Sequence, residues 1–250
     1  MLTNFVINTS TKMGAETDRL GGGLLESNVY DCTIKTAYIT QAKSEALALN
    51  IEVETADGGF FKEALYFVSG KAKGNKTYFE KNGKEFALPG YSSFASLLKL
   101  SGFDTTPEQQ LESGLKTKIV NIYDFDLSKK VPTEVPMVMD LIGAKVKLAI
   151  LNQTVDKNIK DASGKYVPGG ETREQNVLDK VFNRAGFTTT ELTAKLEAPE
   201  FMEAWLKKNK GKSQMKAKGA AAGGASKAGA PAAPTAPAPA GVDDIFSEDD

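Results

Sequence analysis

Leu47-Ala-Leu-Asn-Ile-Glu-Val53, the turn Asp57-Gly-Gly59 and Phe60-Phe-Lys-Glu-Ala-Leu-Tyr-Phe-Val68 form one stretch in which the apolar residues keep a strict beat. Leu47, Leu49, Ile51 and Val53 recur every second residue, and Phe61, Leu65 and Phe67 take up one face after the turn. A period of two places such side chains on one side of a strand, so the pattern predicts two half-buried strands joined as a hairpin by Asp-Gly turn chemistry. Residues 29–39 alternate in the same manner and add a strand before them. A three-stranded meander is therefore expected over residues 29–68.

Working outward, residues 69–84 interleave lysines with glycines, Tyr78 and Phe79, which predicts a long basic loop bearing aromatic rings. Pro89-Gly90 ends it, and Phe94, Leu97, Leu98 and Leu100 then follow helical spacing, with a second short helix expected at 107–112. Strands are expected again at 116–125 and 143–155, a polar hairpin tip at 157–170, and either a sixth strand or a helix at 173–182. Residues 188–208 predict one or two helices capped by Thr189 or Thr190, and Gly21-Gly22-Gly23 predicts a hinge. The fold class is mainly β with helical additions (α+β), around a five-stranded sheet.

Three regions are expected. Residues 1–206 form the globular part, 207–241 a linker of Lys, Ala, Gly and Pro, and 242–250 an acidic tip. Between 207 and 240 every charged residue is a lysine, and so little apolar side chain is present that burial cannot offset the entropy of ordering. The chain carries 31 basic and 32 acidic residues; without Asp243, Asp244, Glu248, Asp249 and Asp250 the balance becomes 31 against 27. Such segregation implies a polyanion partner for the body and a tail that competes with it. The tail's alternative role is plain solubilisation, against which Ile245 and Phe246 argue, since a solubilising end gains nothing from an exposed apolar pair.

A single cysteine, Cys32, and no histidine rule out an internal disulfide, Cys/His zinc sites and Ser-His or Cys-His catalysis. Cys32 falls in an apolar alternating run and reads as a packing thiol. Residues 1–20 lack a continuous apolar stretch, so neither signal peptide nor membrane anchor is predicted and a cytoplasmic location is expected.

Positive charge and aromatic rings coincide on the outward side of the predicted sheet. The first strand offers Lys35 on one face and Tyr38 on the other, and Phe60, Lys62 and Tyr66 alternate with the buried row of the third. The adjoining loop adds Lys71, Lys73, Lys76, Tyr78 and Lys81. Lysines neutralise successive phosphates while ring faces stack on unpaired bases, which is the chemistry of sequence-independent binding to single-stranded nucleic acid. The bland alternative buries the rings under the helices and leaves the lysines to solvate a loop. Asp124 and Asp126, two apart on a strand, with Lys118, keep a metal-dependent nuclease in view, although acids so spaced are usually solvated edge residues. No cofactor or metal is expected.

A small β body, a basic aromatic stretch, a Gly/Ala/Pro arm and the tip Asp243-Asp-Ile-Phe-Ser-Glu-Asp-Asp250 together resemble the single-stranded DNA-binding proteins of tailed bacteriophages. Val29-Tyr-Asp-Cys-Thr-Ile-Lys35 is similar to their opening strand, and the tip resembles the acidic, hydrophobic end by which they recruit partners, here continued by Ser247 to Asp250. The resemblance implies an oligonucleotide-binding (OB) fold with a helical insertion and a non-enzymatic role in DNA replication, recombination or repair. Its partners would be single-stranded DNA and, through the tip, polymerase, helicase or nuclease, with no membrane. A scaffolding protein whose tip docks on a basic assembly is the remaining alternative, and homo-oligomerisation is left open.

Overall fold

The computed structural model describes residues 23–124, 127–164 and 166–218, so the expected hinge at Gly21 and Gly22, and the tip with most of the arm, lie outside the described residues. The meander forms as its alternation requires: β1 (Asn28–Gln41), β2 (Leu47–Thr55) and β3 (Phe60–Val68) pair antiparallel in sequence order. Ile34, Ala37, Leu49, Ile51, Phe61 and Phe67 point into one core. Cys32 joins them, and burial pushes its thiol up to about 12, in keeping with packing and not nucleophilic chemistry.

Residues 69–84 are not one long loop. A single 3-10 turn at Lys71–Lys73 is followed by a separate two-stranded hairpin, β4 (Tyr78–Lys81) with β5 (Lys84–Ala87). Its turn is Asn82-Gly83, both at positive φ (54° and 71°), the combination a tight hairpin turn requires and one open to Asn and Gly. α1 (Pro89–Leu100) then drops Phe94, Leu97 and Leu98 into the core, with the Phe94 ring edge-on to Phe67 at 5.2 Å. Each such side chain contributes about 1.5–3 kcal/mol by leaving water. α2 (Pro107–Ser113) opens on a reciprocal capping box between Thr106 and Gln109.

β6 (Leu115–Asp124) pairs along its length with β7 (Lys129–Val138), a strand not among those expected, which carries Pro132 and Pro136. Prolines cannot donate to a ladder and sit on edges, and β7 meets the main sheet at the single register pair Tyr38–Met137. β8 (Lys145–Lys160) and β9 (Tyr166–Phe182) make a hairpin longer than expected: strand runs to Lys160 and resumes at Tyr166, inside the expected tip of 157–170, and 173–182 is strand, not helix.

α3 (Thr189–Thr193) is capped by Thr188, one residue before the expected caps. The Glu191 carboxylate accepts from Thr188 N, Glu200 N and Phe201 N, so one side chain fixes both α3 and the start of α4 (Phe201–Asn209). The segment expected as linker from Lys207 is secondary structure at its beginning. α4 runs on to Asn209, and β10 (Ser213–Met215) pairs parallel with β8. Buried Ser27 pins this end, since its carbonyl accepts from Gly211 N and its hydroxyl donates to Lys212 O.

The architecture is mainly β with helical additions, but among the described residues ten strands replace the expected five to six. Across the main sheet the order is β3-β2-β1-β8, with β9 beside β8, β10 taking β8's other edge beyond the start of β1, and the β6–β7 hairpin attached through β1. Among the described residues no backbone ladder joins β3 to β9.

Candidate nucleic-acid interface

Five of the ten residues expected to bind DNA share the outward face of β1–β3. The register sets Tyr38 opposite Asn50, Thr36 opposite Glu52 and Thr33 opposite Glu54. On the far side of β2, Tyr66 stands opposite Ala48, Lys62 opposite Glu52 and Phe60 opposite Glu54. A bulge between Ile34 and Thr36 turns Lys35 outward as well. Phe60 is 56% exposed, whereas Tyr38 and Tyr66 are half-buried, and burial raises both phenols above their usual range, Glu52 adding to the effect at Tyr38.

Acids interleave with these lysines on the same face, a relation the alternation of one strand does not reveal. Lys35 bonds Glu54 at 2.8 Å and Lys62 bonds Glu52. Two lysines against two glutamates leave this face polar and aromatic but close to neutral, not a basic track.

The other five lie past the end of β3. Lys71 is tied to the β1–β2 loop twice, its N–H donating to Ser44 O at 2.8 Å and its ammonium meeting Glu45 at 3.3 Å. Lys76 pairs with Glu80 at 3.0 Å and sits 5.0 Å above the Tyr78 ring, so that face of Tyr78 is taken. Lys73 stands on the 3-10 turn and Lys81 at the tip of the β4–β5 hairpin, both exposed. Phe79 and Phe86 stack across that hairpin at 5.6 Å, each at least 40% exposed, a paired ring surface that Asn82-Gly83 could have revealed.

A second concentration of positive charge was not foreseen. α4 rests on an outward cluster of Ala149, Leu151 and Phe182 through Trp205, whose indole N–H donates to Asp179 at 2.6 Å. Around that seat, residues 207–218 carry six lysines and no acid. A groove of about 400 Å³ between α4 and strands β8–β10 is lined by Lys180, Phe201, Trp205, Lys208 and Lys216.

For the nuclease alternative, Asp124 ends β6 opposite Lys129 and Lys118 faces Val135 in the register, while Asp126 lies outside the described residues. Among the described residues no group of three or more His, Cys, Asp or Glu could hold a metal ion, and no helix is long and apolar enough to cross a membrane. Asp243, Asp244, Ile245, Phe246, Glu248, Asp249 and Asp250 lie outside the described residues. Compared with profiles of known protein families, with characterised proteins and with solved structures, the chain matches none.

Proposed function

We propose that this protein binds single-stranded DNA without sequence preference and without catalysis, coating it during bacteriophage replication, recombination or repair. The observation that carries the reading is the strand order β3-β2-β1-β8-β9 with α1 between β3 and β8 in the chain and packed into the core. That order fits an OB-fold, a partly open five-stranded Greek-key barrel whose second and third strands and flanking loops take oligonucleotides. The β6–β7 hairpin is then an insertion, and β9 lies beside β3 where such a barrel would close.

The outward face of β1–β3 offers Phe60, Tyr38 and Tyr66 for base stacking, each stack contributing about 1–3 kcal/mol. Acidic residues of the tip would steer Ile245 and Phe246 to basic pockets on replication or recombination proteins.

The test is a titration of labelled single-stranded and duplex oligonucleotides across a salt series. Preference for the single strand, with the logarithm of affinity falling by about 0.7 per phosphate neutralised for each unit of log salt, is the expected result. Equal duplex binding, or none to either, overturns the reading.

A further inference from the structure

We infer that the bound strand leaves the near-neutral β1–β3 face and runs across β8 into the lysine-lined groove under α4, where its phosphates find most of their positive charge. The inference rests on the proposed binding of single-stranded DNA and names the part of the surface that supplies its electrostatics.

Three observations carry it. First, the ammonium groups of the β1–β3 face are matched by carboxylates, Lys35 by Glu54 and Lys62 by Glu52. Among the described residues, Lys180, Lys208 and Lys216 form no ion pair. A lysine already facing a glutamate must give up that contact to meet a phosphate, whereas these three need not.

Second, the outward rows of the sheet are continuous between the two areas. Phe60 stands opposite Glu54, Glu54 opposite Thr33, and Thr33 opposite Lys145. Two register steps along the same face is Lys147, paired with Asp31 at 2.6 Å, and two further Ala149, which stands opposite Lys180. Phe60 to Lys145 is three strand spacings, about 14 Å at about 4.8 Å each.

Third, the groove joins charge to a ring. Phe201 is 41% exposed, and although the Lys180 ammonium lies over one side of its ring at 6.0 Å, a base against the exposed part of the ring would bring its backbone to the lysines. The carboxylate in the groove, Asp179, is engaged by the Trp205 indole. An acidic peptide would be drawn by the same lysines; the unbroken outward rows leading in from Phe60 favour a long polyanion.

The experiment uses the full chain and a fluorescein-labelled oligothymidylate, titrated from 50 to 500 mM NaCl, with the triple variant Lys180→Gln, Lys208→Gln, Lys216→Gln. All three positions are on the surface, and matching circular dichroism melts establish that the variant is folded. The expected result is a salt slope smaller by about two, at about 0.7 per lost phosphate contact, and weaker binding at low salt. Trp205 is the chain's one tryptophan, so its emission should change on adding unlabelled oligothymidylate to the wild type and less so in the variant.

An unchanged slope with the wild type still binding overturns this inference and leaves the proposed function standing. Absence of wild-type binding overturns both. Should the variant keep its slope but lose binding of a labelled peptide copying residues 241–250, the groove is a peptide site and the inference falls.

Discussion

The Glu63 carboxylate on β3 accepts a hydrogen bond from the backbone N–H of Leu178 on β9 at 2.6 Å, joining two strands that share no ladder. Burial pushes this carboxyl up to about 8, the Leu178 bond pulling weakly the other way. In the unfolded chain a glutamate titrates near about 4.3. Between those values the folded state holds a proton that the unfolded state releases, so stability falls as pH rises from about 4.3 to 8 and levels off above. Glu63→Gln removes the titration while keeping an oxygen for Leu178. In urea unfolding from pH 5 to 9, the wild type should lose stability relative to this variant as pH rises; parallel profiles would mean an ordinary carboxyl and a seam held by other contacts.

Gly90, in the first turn of α1, lies against the backbone of β3. A Cβ there would stand 2.1 Å from Tyr66 O and 2.5 Å from its carbonyl carbon, and backbone cannot step aside as a side-chain end can. Gly90→Ala should therefore push α1 away from the core and destabilise by about 1–3 kcal/mol or more, despite alanine's better helix propensity. A denaturation midpoint equal to the wild type's would show that α1 does not seat on β3 in this way.

What could be read from the sequence followed the strength of the local signal. β1–β3 were legible because each residue's neighbour two away shares its fate, as in Leu49, Ile51 and Val53. β7 was not, since Pro132 and Pro136 argue against a strand unless it is known to be an edge. The outward placement of Phe60, Lys62 and Tyr66 followed from the same alternation, yet the meaning of Lys62 depended on Glu52 across the sheet, a relation no single strand contains. Residues 207–218 were misjudged for the opposite reason. Their composition is that of a linker, and what orders them is non-local: Trp205 seated on Leu151 and Phe182, and the strand pairing of Ser213 with Asn152.

Phe60 separates binding from stability better than its neighbours. At 56% exposed it packs little, so Phe60→Ala should leave the unfolding free energy within about 0.5 kcal/mol of wild type. Loss of one stacked base would weaken oligothymidylate binding by about 1–3 kcal/mol, about five-fold to more than a hundred-fold. Anisotropy titration reads this directly. Equal affinities would remove Phe60 from the contact surface.

Glu52 and Glu54 make the sharpest electrostatic prediction, because they neutralise the lysines that the sequence alone assigns to DNA. Replacing both by glutamine leaves shape and hydrogen bonding close to unchanged while freeing Lys62 and Lys35. If the strand crosses this face, the double variant should bind more tightly at low salt, by up to about thirty-fold given that exposed pairs contribute about 0–1 kcal/mol each. Its salt slope should steepen by about 1.4, two lysines at about 0.7 each. The gain should fade as salt rises, since exposed charges are screened over about 10 Å at 0.1 M. A double variant with wild-type affinity and slope would mean that no phosphate comes near these lysines, and the strand would have to run along α4 without crossing β1–β3.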